Sequence, residues 1–197
     1  PEVMKALNER ERNFEKESAA IISKNTVNIF KGQPLKASIE TGFHSFLKKY
    51  VAHTHSVYAN IVCCAVGGEK ILNRIFQRSN LKVAWVPYAN PGFNLTLAVK
   101  KASERFTNKF NVVPDLFFLQ NHGLIAAGDT CARCLRFHNK ADELIKKFFG
   151  IRSPYPKIRL VSKNDKNIFS LVLFPDQVVY LNKINIDKRT GGMARTI

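Results

Sequence analysis

The feature that most constrains this chain is the way its periodicity keeps changing. Lys70–Gln77 has helical spacing with Ile71, Leu72 and Ile75 apolar, and Lys82–Val86 then reads as a strand stopped by Pro87. Asn94–Lys109 is helical again, entered after Pro91-Gly92. Leu116–Leu119 has the continuous apolar run of a buried strand, and Leu124–Ala127 a second, with Asn121-His122-Gly123 as the turn between them. Asp129 or Thr130 then caps a helix running to about Phe149. Upstream, Ser38–Thr41 opens a helix with Ile39, Phe43, Phe46 and Leu47 on one face, Tyr50–His55 is short and β-prone, and Ser56–Ala65 is a second helical segment. Strands alternating with helices bury both sheet faces only when helices cover both, so the expectation is an α/β fold with a central sheet.

At 197 residues the chain has room for one domain with an arm. Residues 2–24 carry helix formers with a loose apolar stripe of Met4, Leu7, Phe14, Ile21 and Ile22, and their mixed charges do not read as a signal peptide. Gly32-Gln33-Pro34 breaks the chain before the first motif. Beyond Pro154 and Pro156 the pattern loosens, so residues 1–150 are expected to form the working domain and 151–197 an extension. That extension holds a strand at Val178–Leu181, an ambiguous stretch at Ile168–Phe174, and a tail from Lys188 that reads as mobile or ordered only on a partner. No apolar run is long enough for a membrane span.

The formal charge of +16 suggests an anionic partner, but the lysines are scattered in pairs such as Lys48-Lys49, Lys100-Lys101 and Lys146-Lys147. A solvated basic surface explains that scatter better than nucleic-acid binding does, and a basic rim steering a phosphorylated metabolite is the other open reading. Cys63, Cys64, Cys131 and Cys134 are too few for a disulfide scaffold, and reduced structural thiols in a cytoplasmic protein are expected.

Function is written mainly in histidines. In His53-Thr54-His55, a strand conformation projects both imidazoles from one face and Thr54 from the other. Two neutral imidazoles on one face are half a metal site. His122, backed by Gly123 at a strand–strand turn, is the candidate third ligand, and three histidines with an open position suit a catalytic metal. Glu40 stands upstream as a carboxylate that can act as general base, and His44, four residues on, shares its face. Asn121 is a candidate to hydrogen-bond the turn presenting His122. His138, mid-helix, reads as a surface or interface residue, and Trp85 and Phe93 as packing residues.

These residues resemble the class II aldolase/adducin family, which includes the rhamnulose-1-phosphate and fuculose-1-phosphate aldolases. The stretches SIETGFHSFL at 38–47, HTHSVYAN at 53–60, WVPYANPGF at 85–93 and LQNHGLIAAGDT at 119–130 carry the match, in the family's order. The WVPY stretch and the short interval from Glu40 to His53 are most like aldolase domains fused to a short-chain dehydrogenase. The resemblance implies a three-layer α/β/α domain and a homo-oligomer, usually a cyclic tetramer. It implies a divalent metal, commonly Zn2+, on His53, His55 and His122, and Glu40 as catalytic acid/base. Ser38 falls in the family's phosphate-binding segment, and His44 and Asn121 are candidates to support the site from behind.

The implied activity is metal-dependent carbon–carbon cleavage and formation on a ketose or ketose phosphate, with an enediolate stabilised by the metal. The alternatives are a pentulose-phosphate 4-epimerase using the same retro-aldol step and a non-catalytic, adducin-like interaction module. Two departures stand out. Residues 1–37 lack the family's glycine- and asparagine-rich phosphate loop, which leaves open a lost N-terminus, another phosphate site, or an unphosphorylated substrate. The family's C-terminal tyrosine matches no position clearly, with Tyr180 a better-placed candidate than Tyr155.

Overall fold

The computed structural model describes residues 14–26, 37–152, 161–162 and 192–193. In chain order the elements are α1 (Phe14–Asn25), α2 (Thr41–His44), β1 (Tyr50–Thr54), α3 (Val57–Cys63), α4 (Gly68–Phe76), β2 (Val83–Val86), α5 (Phe93–Phe110), β3 (Leu116–Leu119), β4 (Gly123–Gly128) and α6 (Cys131–Phe148). Two short strands, β5 (Val161–Ser162) and β6 (Gly192–Met193), pair with each other in a separate antiparallel ladder. That ladder includes part of the tail for which no element is expected. The strand signals at 168–174 and 178–181, with Tyr155 and Tyr180, lie outside the described residues. No described helix is long and apolar enough to cross a membrane.

The four main strands form one sheet in the order β1-β4-β3-β2. β1 and β3 both run antiparallel to β4, and β2 runs parallel to β3. Side chains alternate across the two central strands and divide the core in two. Leu116, Phe118, Leu124 and Ala126 face a layer built by Tyr58 and Val62 of α3, Leu72 and Phe76 of α4, and Phe137, Ala141 and Ile145 of α6. Phe117, Leu119 and Ile125 face Phe43 of α2 and Leu95, Val99 and Ala102 of α5. This is the three-layer α/β/α arrangement, and the sheet centre is apolar on both faces because helices cover both.

Most predicted elements form within a residue or two of their expected ends. Thr130, rather than Asp129, caps α6 by accepting a bond from the Arg133 amide at 3.2 Å. Ser56 caps α3 by accepting from Ala59. The expected helix from Ser38 is shorter than its pattern suggests, and only Thr41–His44 is helical. Local side-chain bonds capture its carbonyls: the Thr41 hydroxyl donates to Ser38 O at 2.7 Å and the Ser45 hydroxyl to Gly42 O at 2.7 Å. Ile39 is accordingly 63% exposed, while Phe43 is fully buried. Ahead of β1, Lys48 Nζ donates to Asp115 at 2.8 Å, and the other oxygen of Asp115 accepts from the Lys82 amide, so one carboxylate ties the approaches to β1, β2 and β3 together.

All four cysteines are free thiols. Cys63 Sγ donates to Gly123 O and Cys134 Sγ to Ala126 O, both at 3.3 Å. Burial pushes the Cys64 thiol up to about 11 and raises Cys63 and Cys134 as well, which suits small packing groups rather than nucleophiles. Trp85 and Phe93 pack in the core as expected.

The end of β4 fits closely under the start of α6. A Cβ on Gly128 would lie 2.7 Å from the Cys134 amide nitrogen, a backbone atom of the helix that cannot swing aside. Gly128→Ala is therefore expected to lower stability by about 1–3 kcal/mol through overpacking. Thermal unfolding monitored by circular dichroism measures it, and an unchanged Tm would contradict the close fit.

Candidate functional site

The strand alternation predicted for His53-Thr54-His55 is present. β1 pairs with β4 so that His53 stands opposite Ile125 and Thr54 opposite Leu124. Directly opposed residues share a face, so His53 lies on the α2/α5 side. There its ring meets Phe43 edge-on, with centroids 5.4 Å apart. His55 follows just beyond the last ladder pair, and its ring centroid lies 5.1 Å from that of His53.

His122 arrives from the β3–β4 turn. That turn departs from its sequence expectation in how it is made: the positive φ of 54° belongs to Asn121, not Gly123. Asparagine is among the few non-glycine residues that tolerate this region. The Asn121 amide donates to Cys63 O at 3.0 Å, anchoring the turn to α3. Gly123 is needed for close approach instead, because a Cβ there would stand 2.5 Å from Thr54 O and 2.9 Å from the His55 ring. The bare backbone of β4 thus lets His55 and His122 come together, with ring centroids 4.9 Å apart.

One ligating nitrogen from each of His53, His55 and His122 lies within 4.8 Å of the others. His53 Nε2 and His122 Nε2 are 3.2 Å apart, close to the roughly 3.3 Å separating two nitrogens bound at about 2.0–2.1 Å to one tetrahedral ion. His53 Nδ1 is 3.0 Å from Leu124 O, which as an acceptor sets the tautomer with the proton on Nδ1 and the lone pair of Nε2 toward the cluster. Burial, partly offset by the Glu40 charge, holds the His53 pKa at about 4, so the ring is neutral at physiological pH. His122 is buried with no partner for Nδ1 among the described residues, so its polar contacts all lie on the Nε2 side. Three imidazole nitrogens in this spacing, with His53 held neutral and oriented by Leu124 O, fit a divalent cation.

Glu40 reaches into the same cluster. Its Oε1 is 2.9 Å from His122 Nε2 and its Oε2 3.4 Å from His53 Nε2. Burial raises the carboxyl pKa, but the His122 hydrogen bond and the fields of His53, His122 and His55 outweigh it, and the net shift is downward. The group is an ionised carboxylate near neutral pH. Phe43 positions it: buried under the sheet, that ring pins α2, and Glu40 is the residue immediately before α2.

The two supporting candidates fare differently. His44 stacks on Phe43 at 4.8 Å and lies beside Glu40, and burial lowers its pKa against the raising effect of that carboxylate. Asn121 contributes its backbone conformation and amide to the turn. Ser38 lines a cleft of about 570 Å³ together with Glu40, Thr41, His44, Val51, Ala52 and His53. The Ser38 hydroxyl accepts from the Glu40 amide at 3.2 Å, so it steadies the approach to Glu40.

His138, expected from the sequence as a surface or interface residue, is tied to the sheet within this chain. Its Nε2 shares a 2.7 Å hydrogen bond with Thr54 Oγ1, on the face of β1 opposite the cluster, and its side chain is largely covered. The signal was present in the alternation that placed the histidines: if His53 and His55 point one way, Thr54 and Ser56 point to α6. The Leu124 carbonyl beside His53 is a backbone group that no side-chain pattern announces.

Comparison with known proteins agrees with this geometry. The family described as "Class II Aldolase and Adducin N-terminal domain" matches residues 4–147. The Uncharacterized oxidoreductase YuxG of Bacillus subtilis (strain 168) is 37% identical over 100 residues, which is 50% of this chain and 13% of that protein. The N-terminal class II aldolase domain of a conserved protein from Thermoplasma acidophilum superimposes with a TM-score of 0.55 at 25% identity, covering 72% of this chain and 60% of that one. The chain thus spans only part of each of these relatives. With the matched residues enclosing the whole sheet and every member of the cluster, the chain belongs to the class II aldolase and adducin family.

Proposed function

We propose that this domain is a metal-dependent aldolase centre that breaks and forms a carbon–carbon bond of a ketose or ketose phosphate. The observation that carries the reading is the Glu40 carboxylate set 2.9 Å and 3.4 Å from two of three converging imidazoles. His53, His55 and His122 would hold a divalent cation, and three imidazole nitrogen donors suit Zn2+ best. When bound, the cation supplies positive charge beside the oxygens on which negative charge develops.

The chain's own groups do the rest. In the condensation direction, ionised Glu40 takes the proton from the carbon next to the substrate carbonyl, and its lowered pKa keeps it ready as a base. In cleavage the substrate hydroxyl that becomes the aldehyde carbonyl gives up its proton. Glu40, having taken up a proton by way of solvent, returns it to the carbon next to the substrate carbonyl after the carbon–carbon bond has broken, so the proton count is unchanged. The cleft beside Glu40, walled by Ser38, Thr41 and His44, has room for a small sugar. The adducin-like alternative is less well supported, because a pure scaffold has no need of three converging imidazoles with an ionised carboxylate among them. A cytoplasmic homo-oligomer, most simply a tetramer, completes the proposal, and light scattering should give about four times the 22.3 kDa chain mass. A monomer at all concentrations would remove that part.

Two substitutions test the centre. His53→Ala should abolish stoichiometric Zn2+ binding, measured by metal analysis after dialysis, while far-ultraviolet circular dichroism remains that of the folded domain. Retention of one Zn2+ per chain would exclude His53 as a ligand. Glu40→Gln should keep the metal and lower turnover by about two to four orders of magnitude. It should also slow solvent exchange of the donor's acidic C–H proton, a step that needs the base but no aldehyde. A fully active Glu40→Gln enzyme would overturn the mechanism.

A further inference from the structure

Behind the cluster, on the opposite face of β1, lies a second set of polar side chains that the proposed chemistry does not use. In His53-Thr54-His55-Ser56 the histidines point forward and the two hydroxyl residues point back to α6. Thr54 Oγ1 meets His138 Nε2 at 2.7 Å, and the Ser56 hydroxyl donates to Asp142 Oδ1 at 2.7 Å. His138 and Asp142 are one helical turn apart, with His138 Nδ1 3.9 Å from Asp142 Oδ2. The spacings match: two residues of extended chain rise about 6.6 Å, and four residues of helix about 6.0 Å. Helix α6 therefore grips the segment at two points in register.

The grip falls at the end of the ladder. The last β1–β4 pair is Thr54–Leu124, and His55 follows just beyond it. It is flanked by the two gripped residues. Among the described residues β1 is also the end strand of the sheet, with ladder bonds to β4 alone. A slip of one residue there would turn both imidazoles away from His122.

We propose that His138 and Asp142 are positioning residues that clamp Thr54 and Ser56, and so hold His53 and His55 at the spacing a divalent cation requires. This rests on the metal-site reading above. The probe is Co2+, which reports coordination through its visible d–d absorption, added to the full chain, with affinity measured by competition against a chelator. Wild type should bind one Co2+ per chain. His138→Leu and Thr54→Val, which cut the same hydrogen bond from opposite sides, should each weaken binding by about 10-fold or more and alter the d–d spectrum, the scale seen when groups that orient ligands are removed. The double variant should be little worse than either single one. His138→Gln, whose amide nitrogen can stand near Nε2, should recover most of the affinity.

Ile145→Val, a buried α6 change that leaves both clamp hydrogen bonds in place, controls for general loss of stability and should keep wild-type affinity and spectrum. If His138→Leu fails to fold, Thr54→Val makes the same cut nearly isosterically and decides the matter. Wild-type affinity and spectrum in Thr54→Val would overturn the clamp while leaving the metal site standing. Equal weakening by Ile145→Val would also overturn it, and absence of Co2+ binding by wild type would overturn the metal-site reading and the clamp together.

Discussion

The pairing of β1 with β4 is the constraint on which the rest of the molecule depends. β4 is central, apolar on both faces and fixed by helices on either side. β1 has no such insulation; its side chains are partly exposed, and among the described residues no strand pairs with its outer edge. The register that puts His53 against Ile125 decides at once which side chains form the candidate metal site and which meet α6. Because the strand period is two residues, there is no intermediate outcome. A shift by one would bring hydroxyls to the cluster and imidazoles to the helix.

Close approach is the second requirement, met by omitting side chains. Gly123 lets the Thr54 carbonyl and His55 ring press against β4, and Gly128 lets the first turn of α6 sit on the strand's far end. Both glycines belong to the same six-residue strand, one at each end. The strand that carries the least side-chain bulk is thus the one against which both the cluster and the clamping helix are seated. Asn121 completes the arrangement by taking the left-handed conformation just ahead of it, turning His122 back toward β1.

What could be read from the sequence follows from the range of the forces involved. Strands such as Leu116–Leu119 and helices such as α5 and α6 are set by local periodicity and caps, and they form where the pattern puts them. The convergence of His53, His55 and His122 was also legible, because a His-x-His alternation and a tight turn each restrict direction. The length of α2 was not, since Thr41 and Ser45 draw carbonyls out of the helix through side-chain bonds that apolar spacing ignores. The bond between His138 and Thr54 was not foreseen, because a lone histidine in a charged helix carries no sign of its own and Thr54 is 84 residues away. The Leu124 carbonyl that orients His53 could not be read from side chains at all.

The one-turn length of α2 bears on chemistry. A longer helix from Ser38 would carry Glu40 inside its first turn, with the carboxylate direction set by helical geometry. Instead Glu40 precedes the helix as its cap residue, with φ −95° and ψ 3°, and its side chain makes no capping bond. Both oxygens are left for the imidazoles, as the 2.9 Å and 3.4 Å contacts show. The backbone beneath is steadied by the Ser38 hydroxyl on the Glu40 amide and by buried Phe43 three residues on. The proton transfer proposed for Glu40 would need a fixed base and a side chain able to reach either of two partners. A carboxylate at the rim of a single pinned turn meets both demands, and one held by a capping bond would meet only the first.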